Sequence, residues 1–232
     1  MAKRTHSIDQ RKPAKKQDRR WIYIGLISLA AVVVVGLLIF LNQPTTPAAA
    51  DITPVAFKGV PKPDGLSMGN PAAKVKVEEY SDFQCPYCKL FFTDTEPTLI
   101  EKYVATDQVY FTYNPFSFIG TESKLAAEAG FCSADQNKFW EMHTQIFAAQ
   151  GAENKGNFTN TSLTKMASQS VLDMAAFKSC LEKGTYKQKV EDFNTQAMGR
   201  KVQSTPSFFV NGVGPLNSNE VLAEVEKALK GN

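Results

Sequence analysis

Val75-Lys76-Val77-Glu78-Glu79-Tyr80-Ser81-Asp82-Phe83-Gln84-Cys85-Pro86-Tyr87-Cys88 is the stretch on which the fold turns. Its first half alternates, with Val75, Val77 and Glu79 on one face and Lys76, Glu78 and Tyr80 on the other, which is the two-residue period of a strand. Asp82 to Cys85 reads as a turn, and the chain is helical from Pro86. Proline is accepted in a first helical turn because the N–H it lacks has no intrahelical partner there. A Cys-x-x-Cys pair therefore stands at a strand-to-helix junction. Cys85 occupies the helix start, where unpaired N–H groups and the positive end of the dipole stabilise a thiolate, so Cys85 is the expected attacking sulfur. Cys88 lies one turn on and on the same side, placed to close an intramolecular disulfide or resolve a mixed one. Cys-x-x-Cys can also be half of a zinc site. A four-ligand site needs another close pair, however, and the chain offers only Cys132, Cys180, His6 and His143. No metal is expected, and no cofactor beyond the cysteine pair.

Downstream, Val109 to Tyr113 forms a second strand ending at Asn114-Pro115. From about residue 120 to 201 the chain reads as wholly helical, broken at Ser133-Ala134-Asp135, at Gly151 to Asn160 and at Lys183-Gly184. A short apolar strand follows in Thr205-Pro206-Ser207-Phe208-Phe209-Val210, closed by an Asn211-Gly212 turn. Glu220 to Lys230 is a last amphipathic helix with Val221, Leu222, Val225 and Leu229 on one side. This order gives an α/β core carrying an inserted all-helical subdomain. Phe91, Phe92, Phe139 and Trp140 read as core at helical spacing, and His143, beside Trp140 and Phe147, as a packed or half-exposed residue rather than a catalytic one. The sequons at Asn157 and Asn160 mark surface loop only in a host that glycosylates.

Upstream the chain changes character. Residues 1–20 hold eight Lys or Arg against two acids, so the basic charge is concentrated in the tail and the remainder is mildly acidic. A nucleic-acid partner would need a basic face on the folded domain, and none is expected. Residues 21–41, Trp21-Ile-Tyr-Ile through Leu41, contain no charged residue and at 1.5 Å per residue cover roughly 30 Å, enough for a transmembrane helix. Lys15, Lys16, Arg19 and Arg20 precede it, and Trp21 and Tyr23 sit at an interface position. The positive-inside rule then places the N-terminus in the cytoplasm and everything beyond Asn42 outside. A cleaved signal peptide with a small-residue site at Ala48-Ala49-Ala50 is the competing assignment, but the apolar run exceeds the usual signal core. Residues 42–69, with Pro44, Pro47, Pro54, Pro61 and Pro63, read as a Pro/Ala/Thr-rich linker. Residues 70–232 are the expected catalytic domain. In an exported domain Cys132 and Cys180 are expected to pair as a structural disulfide, two buried free cysteines being the alternative.

Three stretches together resemble the DsbA-like disulfide oxidoreductases of the thioredoxin superfamily, of a membrane-anchored bacterial type. They are the Val77–Cys88 segment, Lys138-Phe139-Trp140-Glu141-Met142-His143, and Thr205 to Gly212, in that order. The resemblance covers about residues 70–232 and implies a thioredoxin-like fold. It also implies that Pro206 is the cis-proline packing beside the active-site disulfide, with Thr205 presenting its backbone to an extended substrate. A trans edge proline is the plain alternative. Glu79, six residues before Cys85, falls where the family often keeps a buried acid that moves the proton of the second cysteine. An inward carboxylate there would have a raised pKa, and Glu78 is the alternative should the strand face the other way. Paired cysteines in the helical insertion occur in some members.

Between the cysteines stand Pro86 and Tyr87, where the strongly oxidising members carry Pro-His. Tyr87 adds no positive charge near Cys85, so a weaker oxidant is expected. The chain after Gly212 is brief for the family's last hairpin. The function implied is the introduction of disulfides into reduced exported polypeptides. The electrons would be taken up by a DsbB-like or vitamin K epoxide reductase-like membrane quinone reductase. The same residues serve a reductase or isomerase if relative potentials run the other way, and a membrane-tethered binding or chaperone module with structural cysteines is the non-enzymatic alternative.

Overall fold

The computed structural model describes residues 20–41, 61–170 and 173–231, and at the first helix the side chains of residues 23–38. The basic tail and residues 42–60 of the expected linker lie outside the described residues. Helix α1 (Arg20–Leu41) falls in one compact unit, Met1–Thr45, and the rest of the chain, Thr46–Asn232, forms a second. The large apolar side chains of α1 from Tyr23 to Leu38 are exposed. Among the described residues, no helix is long and apolar enough to cross a membrane.

The second unit is built on a six-stranded sheet: β1 (Pro63–Asp64), β2 (Ser67–Gly69), β3 (Val75–Ser81), β4 (Val109–Pro115), β5 (Ser207–Val210) and β6 (Val213–Leu216), in the spatial order β1-β2-β4-β3-β5-β6. β3 and β4 run parallel, and every other pairing is antiparallel. The parallel pair needs a crossover, supplied by α2 (Pro86–Asp94), α3 (Glu96–Leu99) and a π-helical turn, Ile100–Val104. The insertion runs through α4 (Thr121–Ala134), α5 (Phe139–Ala148), α6 (Asn160–Ser168), α7 (Met174–Glu182) and α8 (Lys187–Gly199), and α9 (Val221–Lys230) closes the chain.

The alternation of β3 translates directly into burial: Val75, Val77 and Glu79 are buried, while Lys76 and Glu78 are half-buried. Val75 and Val77 join Phe111, Tyr113, Phe91, Trp140, Phe208 and Val225 in the main core, which collects α2, α4, α5 and α9. Tyr80 and Phe209 pack with Ala197 and Val202 of the α8 end in a second, smaller core. There the Arg200 guanidinium lies 3.9 Å from the Phe209 ring centroid and donates to Glu78 at 2.6 Å and to the Tyr80 hydroxyl at 2.9 Å. Glu78 is thereby used at the surface.

The structure corrects the linker boundary. Residues 63–69 were expected outside the domain, yet they form β1 and β2 at the sheet edge. Their local sequence carries no strand signal, because only Met68 and Gly69 are buried and the pairing partner is remote. What holds them is tertiary: ladder pairing of Ser67–Gly69 with Tyr110–Thr112, a 2.8 Å hydroxyl bond from Ser67 to Thr112, and the Trp140 indole N–H donating to the Ser67 carbonyl at 3.0 Å. Gly69 sits at φ +97°, where an added Cβ would meet Val109 O at 2.6 Å, so a glycine is required. The last hairpin is complete, since Asn211 and Gly212 both take positive φ and turn the chain into β6.

Cys132 of α4 and Cys180 of α7 are disulfide-bonded across a sequence separation of 48 residues. Thr159 and Ser162 cap α6 reciprocally, and the Asp173 carboxylate accepts the Ala175 and Ala176 N–H groups that open α7. α6 therefore ends at Ser168 and α7 begins at Met174, a division the sequence breaks at 133–135, 151–160 and 183–184 do not include. Replacing both cysteines, Cys132→Ala with Cys180→Ala, should cost about 4 kcal/mol of unfolding free energy on the loop-entropy model. Denaturant melts check this, and the double variant should retain the thiol chemistry of Cys85.

Candidate active site

Cys85 is the N-cap residue of α2, with φ −71° and ψ 121°, and Pro86 follows as the first helical residue. The Cys85 side chain makes no capping bond, which leaves Sγ free of the helix it precedes. The turn before it is fixed by Asp82. Its buried carboxylate accepts from Gln84 N at 2.8 Å and from Phe118 N and Ile119 N at 3.0 and 3.1 Å, and its carbonyl accepts from Cys85 N at 2.9 Å. Two of these bonds close the turn on itself, and two tie it to the loop after β4.

Both thiols are free, Cys85 5% and Cys88 0% exposed. Their environments drive them apart. The Cys85 pKa falls to about 6, chiefly through a hydrogen bond from the Cys88 thiol; burial opposes this, while the Thr205 hydroxyl and the backbone N–H groups of Cys88 and Tyr87 add to it. Cys88 is pushed well above the ordinary thiol range by burial first and then by its neighbours Cys85 and Glu79. Of the two thiols, Cys85 is the more readily ionised and Cys88 the one that holds its proton.

The Thr205–Pro206 bond is cis, and the Cys85 thiol donates to the Thr205 carbonyl at 3.2 Å. The Thr205 hydroxyl has no hydrogen-bond partner in this state and stands beside Sγ, available to donate once the thiol loses its proton. Next to the thiol, Tyr87, Leu90, Phe91, Thr205, Pro206 and Asn219 line an open groove of about 640 Å³. Tyr87 is 71% exposed at its rim, so it shapes the surface a partner meets.

Beneath Cys88 lies Glu79, 1% exposed. Burial raises its pKa to about 8; the Ser81 hydroxyl opposes the shift and Cys85 adds to it. Ser81 stands next to both Glu79 and Cys88 but short of hydrogen-bond geometry with either in this state. Glu79 is thus an acid that stays protonated at neutral pH.

One buried acid nearby carries no signal in the sequence, and it lies against His143, which is packed as its helical spacing predicts. Glu96, first residue of α3, is 4% exposed, and burial, reinforced by Glu79, raises its carboxyl well above the usual range. Its carboxyl lies 3.9 Å from Nε2 of His143, which is 1% exposed and ringed by Phe83, Phe92, Tyr113, Phe139, Trp140 and Phe147. Burial brings the imidazole down to about 3, so it is neutral. Glu96 precedes Pro97 at a helix start, and no local signal in the sequence marks it as buried. Asp82, by contrast, was legible as a turn residue two before Gln84. No cluster among the described residues could hold a metal ion.

Residues 62–230 match the family profile described as Thioredoxin. The probable disulfide bond formation protein D of Bacillus anthracis is 33% identical over 150 residues, 63% of this chain and 69% of that protein. Disulfide bond formation protein D of Bacillus subtilis (strain 168) is 30% identical over 183 residues, 76% of this chain and 82% of the relative. The crystal structure of oxidised BdbD from Bacillus subtilis superposes with a TM-score of 0.66 at 28% identity, spanning 75% of this chain and 97% of that one.

The site makes its own test. Alkylation of reduced protein should follow Cys85 ionisation with a midpoint near pH 6 and fall about tenfold per pH unit below it. Because the folded pKa lies under that of an unfolded thiol, the thiolate stabilises the reduced fold most at alkaline pH, and this is lost as pH falls through about 6. Chemical melts of the dithiol form across pH 5–9 read that slope.

Proposed function

The chain belongs to the thioredoxin-like, DsbA-family disulfide oxidoreductases, and from that premise we propose that it oxidises exported polypeptides from a membrane anchor through Cys85, Cys88, Glu79 and the Thr205–Pro206 turn. It is a protein thiol–disulfide oxidoreductase that forms disulfides. The observation that carries the residue roles is the opposite displacement of two neighbouring thiols, Cys85 down and Cys88 up.

The electrons then move as follows. A substrate thiolate attacks Cys85 Sγ of the Cys85–Cys88 disulfide, that S–S bond breaks, and Cys88 leaves with the electron pair. Cys88 holds a proton strongly, and Glu79 supplies it. A second substrate thiolate attacks the substrate sulfur of the mixed disulfide and expels Cys85, which departs as the stable thiolate. The substrate has lost two electrons and the enzyme pair has gained them. Near neutral pH thiolate exceeds thiol at Cys85 by about tenfold, which favours the reduced enzyme and makes the disulfide an oxidant. Thr205 and the groove beside it hold the extended substrate. A membrane quinone reductase, DsbB-like or of the vitamin K epoxide reductase type, takes the electrons on. Tyr87 contributes no positive charge, so the pair is a milder oxidant than Pro-His members.

Anchoring is supported by the uncharged run from Trp21 to Leu41 in the sequence and by the basic residues before it. With the N-terminus in the cytoplasm, the catalytic unit lies outside, where substrates arrive reduced.

Four measurements follow. Cys85→Ala should abolish oxidation of a reduced, unfolded substrate protein, and full activity in that variant would sink the mechanism. Glu79→Gln should slow reduction of the enzyme disulfide about a hundredfold at pH 7, where wild-type Glu79 carries its proton. The gap should close as pH rises through about 8, because the wild-type acid is then spent too. Tyr87→His should make the pair more oxidising in equilibrium with glutathione, an unchanged potential removing the role given to Tyr87. Retention of the full chain in alkaline-washed membranes, with the catalytic unit open to external protease, tests the anchor.

A further inference from the structure

Outside the groups already assigned, one side chain reaches the backbone of the reacting cysteine. Gln150 lies just past α5, in the segment 149–159 that leads to α6, and is half-buried. Its Nε2 donates to the Phe83 carbonyl at 2.6 Å and to the Cys85 carbonyl at 3.0 Å. Its own backbone carbonyl accepts from Lys89 Nζ at 2.9 Å, so the residue is held from the helix it serves. The same Cys85 carbonyl accepts the N–H groups of Cys88 and Lys89, at 3.1 and 3.2 Å, that begin α2. A second tie runs in parallel: the Gln84 amide donates to Ser123 Oγ at 2.9 Å and to Asn154 Oδ1 at 3.2 Å, and accepts from Asn154 N at 2.6 Å. The insertion thus grips residues 83, 84 and 85 in succession.

We propose that Gln150 is a positioning residue for Cys85: by holding the Phe83 and Cys85 carbonyls it fixes the first turn of α2 and sets how readily Cys85 ionises and reacts. Cys85 has no side-chain cap of its own, and Gln150 reaches its carbonyl from outside the turn and α2. The N–H groups of Tyr87 and Cys88 that favour the thiolate are effective only while that turn holds its shape. The carbonyl oxygens of Phe83 and Cys85 carry partial negative charge that opposes a thiolate, and the amide hydrogens of Gln150 offset part of it. The titratable groups around the thiol pair are Glu79 from β3, Tyr113 from β4, Asp82 from the turn, and Glu96 acting through Glu79. Changing Gln150 removes none of their charges.

The role rests on Cys85 being the attacking thiol, and the experiment separates the two. Reduced wild type, Gln150→Leu and Lys89→Met are titrated by ultraviolet thiolate absorbance, with thermal unfolding in parallel. Gln150→Leu should lower the thiolate-to-thiol ratio at a fixed pH near the midpoint about two- to tenfold, the worth of one lost hydrogen bond. Lys89→Met should move it less and in the same direction. A folded Gln150→Leu protein that titrates as wild type overturns the proposal. So does an equal shift in Asn157→Ala, which loses only the Asn157 bond to the Ala152 carbonyl within the same segment, because general loosening would then be the cause. Should Gln150→Leu fail to fold, a Lys89→Met protein with wild-type titration overturns it. A wild-type Cys85 that titrates as an ordinary cysteine overturns the attacking-thiol assignment itself, and this role with it.

Discussion

A sulfur at the N-terminus of a helix, held there by the strand that precedes it, is the constraint from which the rest of this molecule follows. Pro86 opens α2 without needing a hydrogen bond, and Cys85 sits one residue earlier in extended backbone, its side chain unused by the helix. The N–H groups of Tyr87 and Cys88 and the thiol of Cys88 then converge on one sulfur. Cys88, inside the helix and wholly buried, has no such stabilisation and keeps its proton. Two chemically identical side chains, one turn apart, differ in how firmly they hold a proton because only one of them stands at the helix end.

Proton management is the second demand, and the buried face of the sheet meets it. Glu79 on β3, Glu96 on α3 and His143 on α5 are all packed in the same apolar interior. Charging any of them there is costly: burial raises Glu79 to about 8 and Glu96 well above the usual carboxylate range, and lowers the imidazole to about 3. A negative charge on Glu79 raises the cost of ionising Glu96 further. The aromatic rings around His143 keep water from lowering that cost.

The helical insertion supports the thiol turn from its far side. Its α4 and α7 are joined by Cys132–Cys180, and the loop after α5 holds the backbone of residues 83 and 85 and the side chain of Gln84. Close approach at Gly120, where a Cβ would collide with the Asn154 amide, shows how tightly that loop is drawn in. A subdomain that looks like an appendage in the order of elements is part of the site's scaffold.

The sequence by itself determined the strand Val75–Ser81, the helix from Pro86, the helical run between the two halves of the sheet and the pair Cys85–Cys88. Each of these is written in a local period or in a residue with restricted backbone geometry. Glu79 was legible for the same reason, since a strand's alternation places it with Val75 and Val77. Only the tertiary structure decided that Pro63–Gly69 belongs to the sheet, that Glu96 is buried against His143, and that Gln150 reaches Cys85. In each case the partner lies tens of residues away, and the pairing energy comes from contacts and exclusion of water that no local pattern encodes.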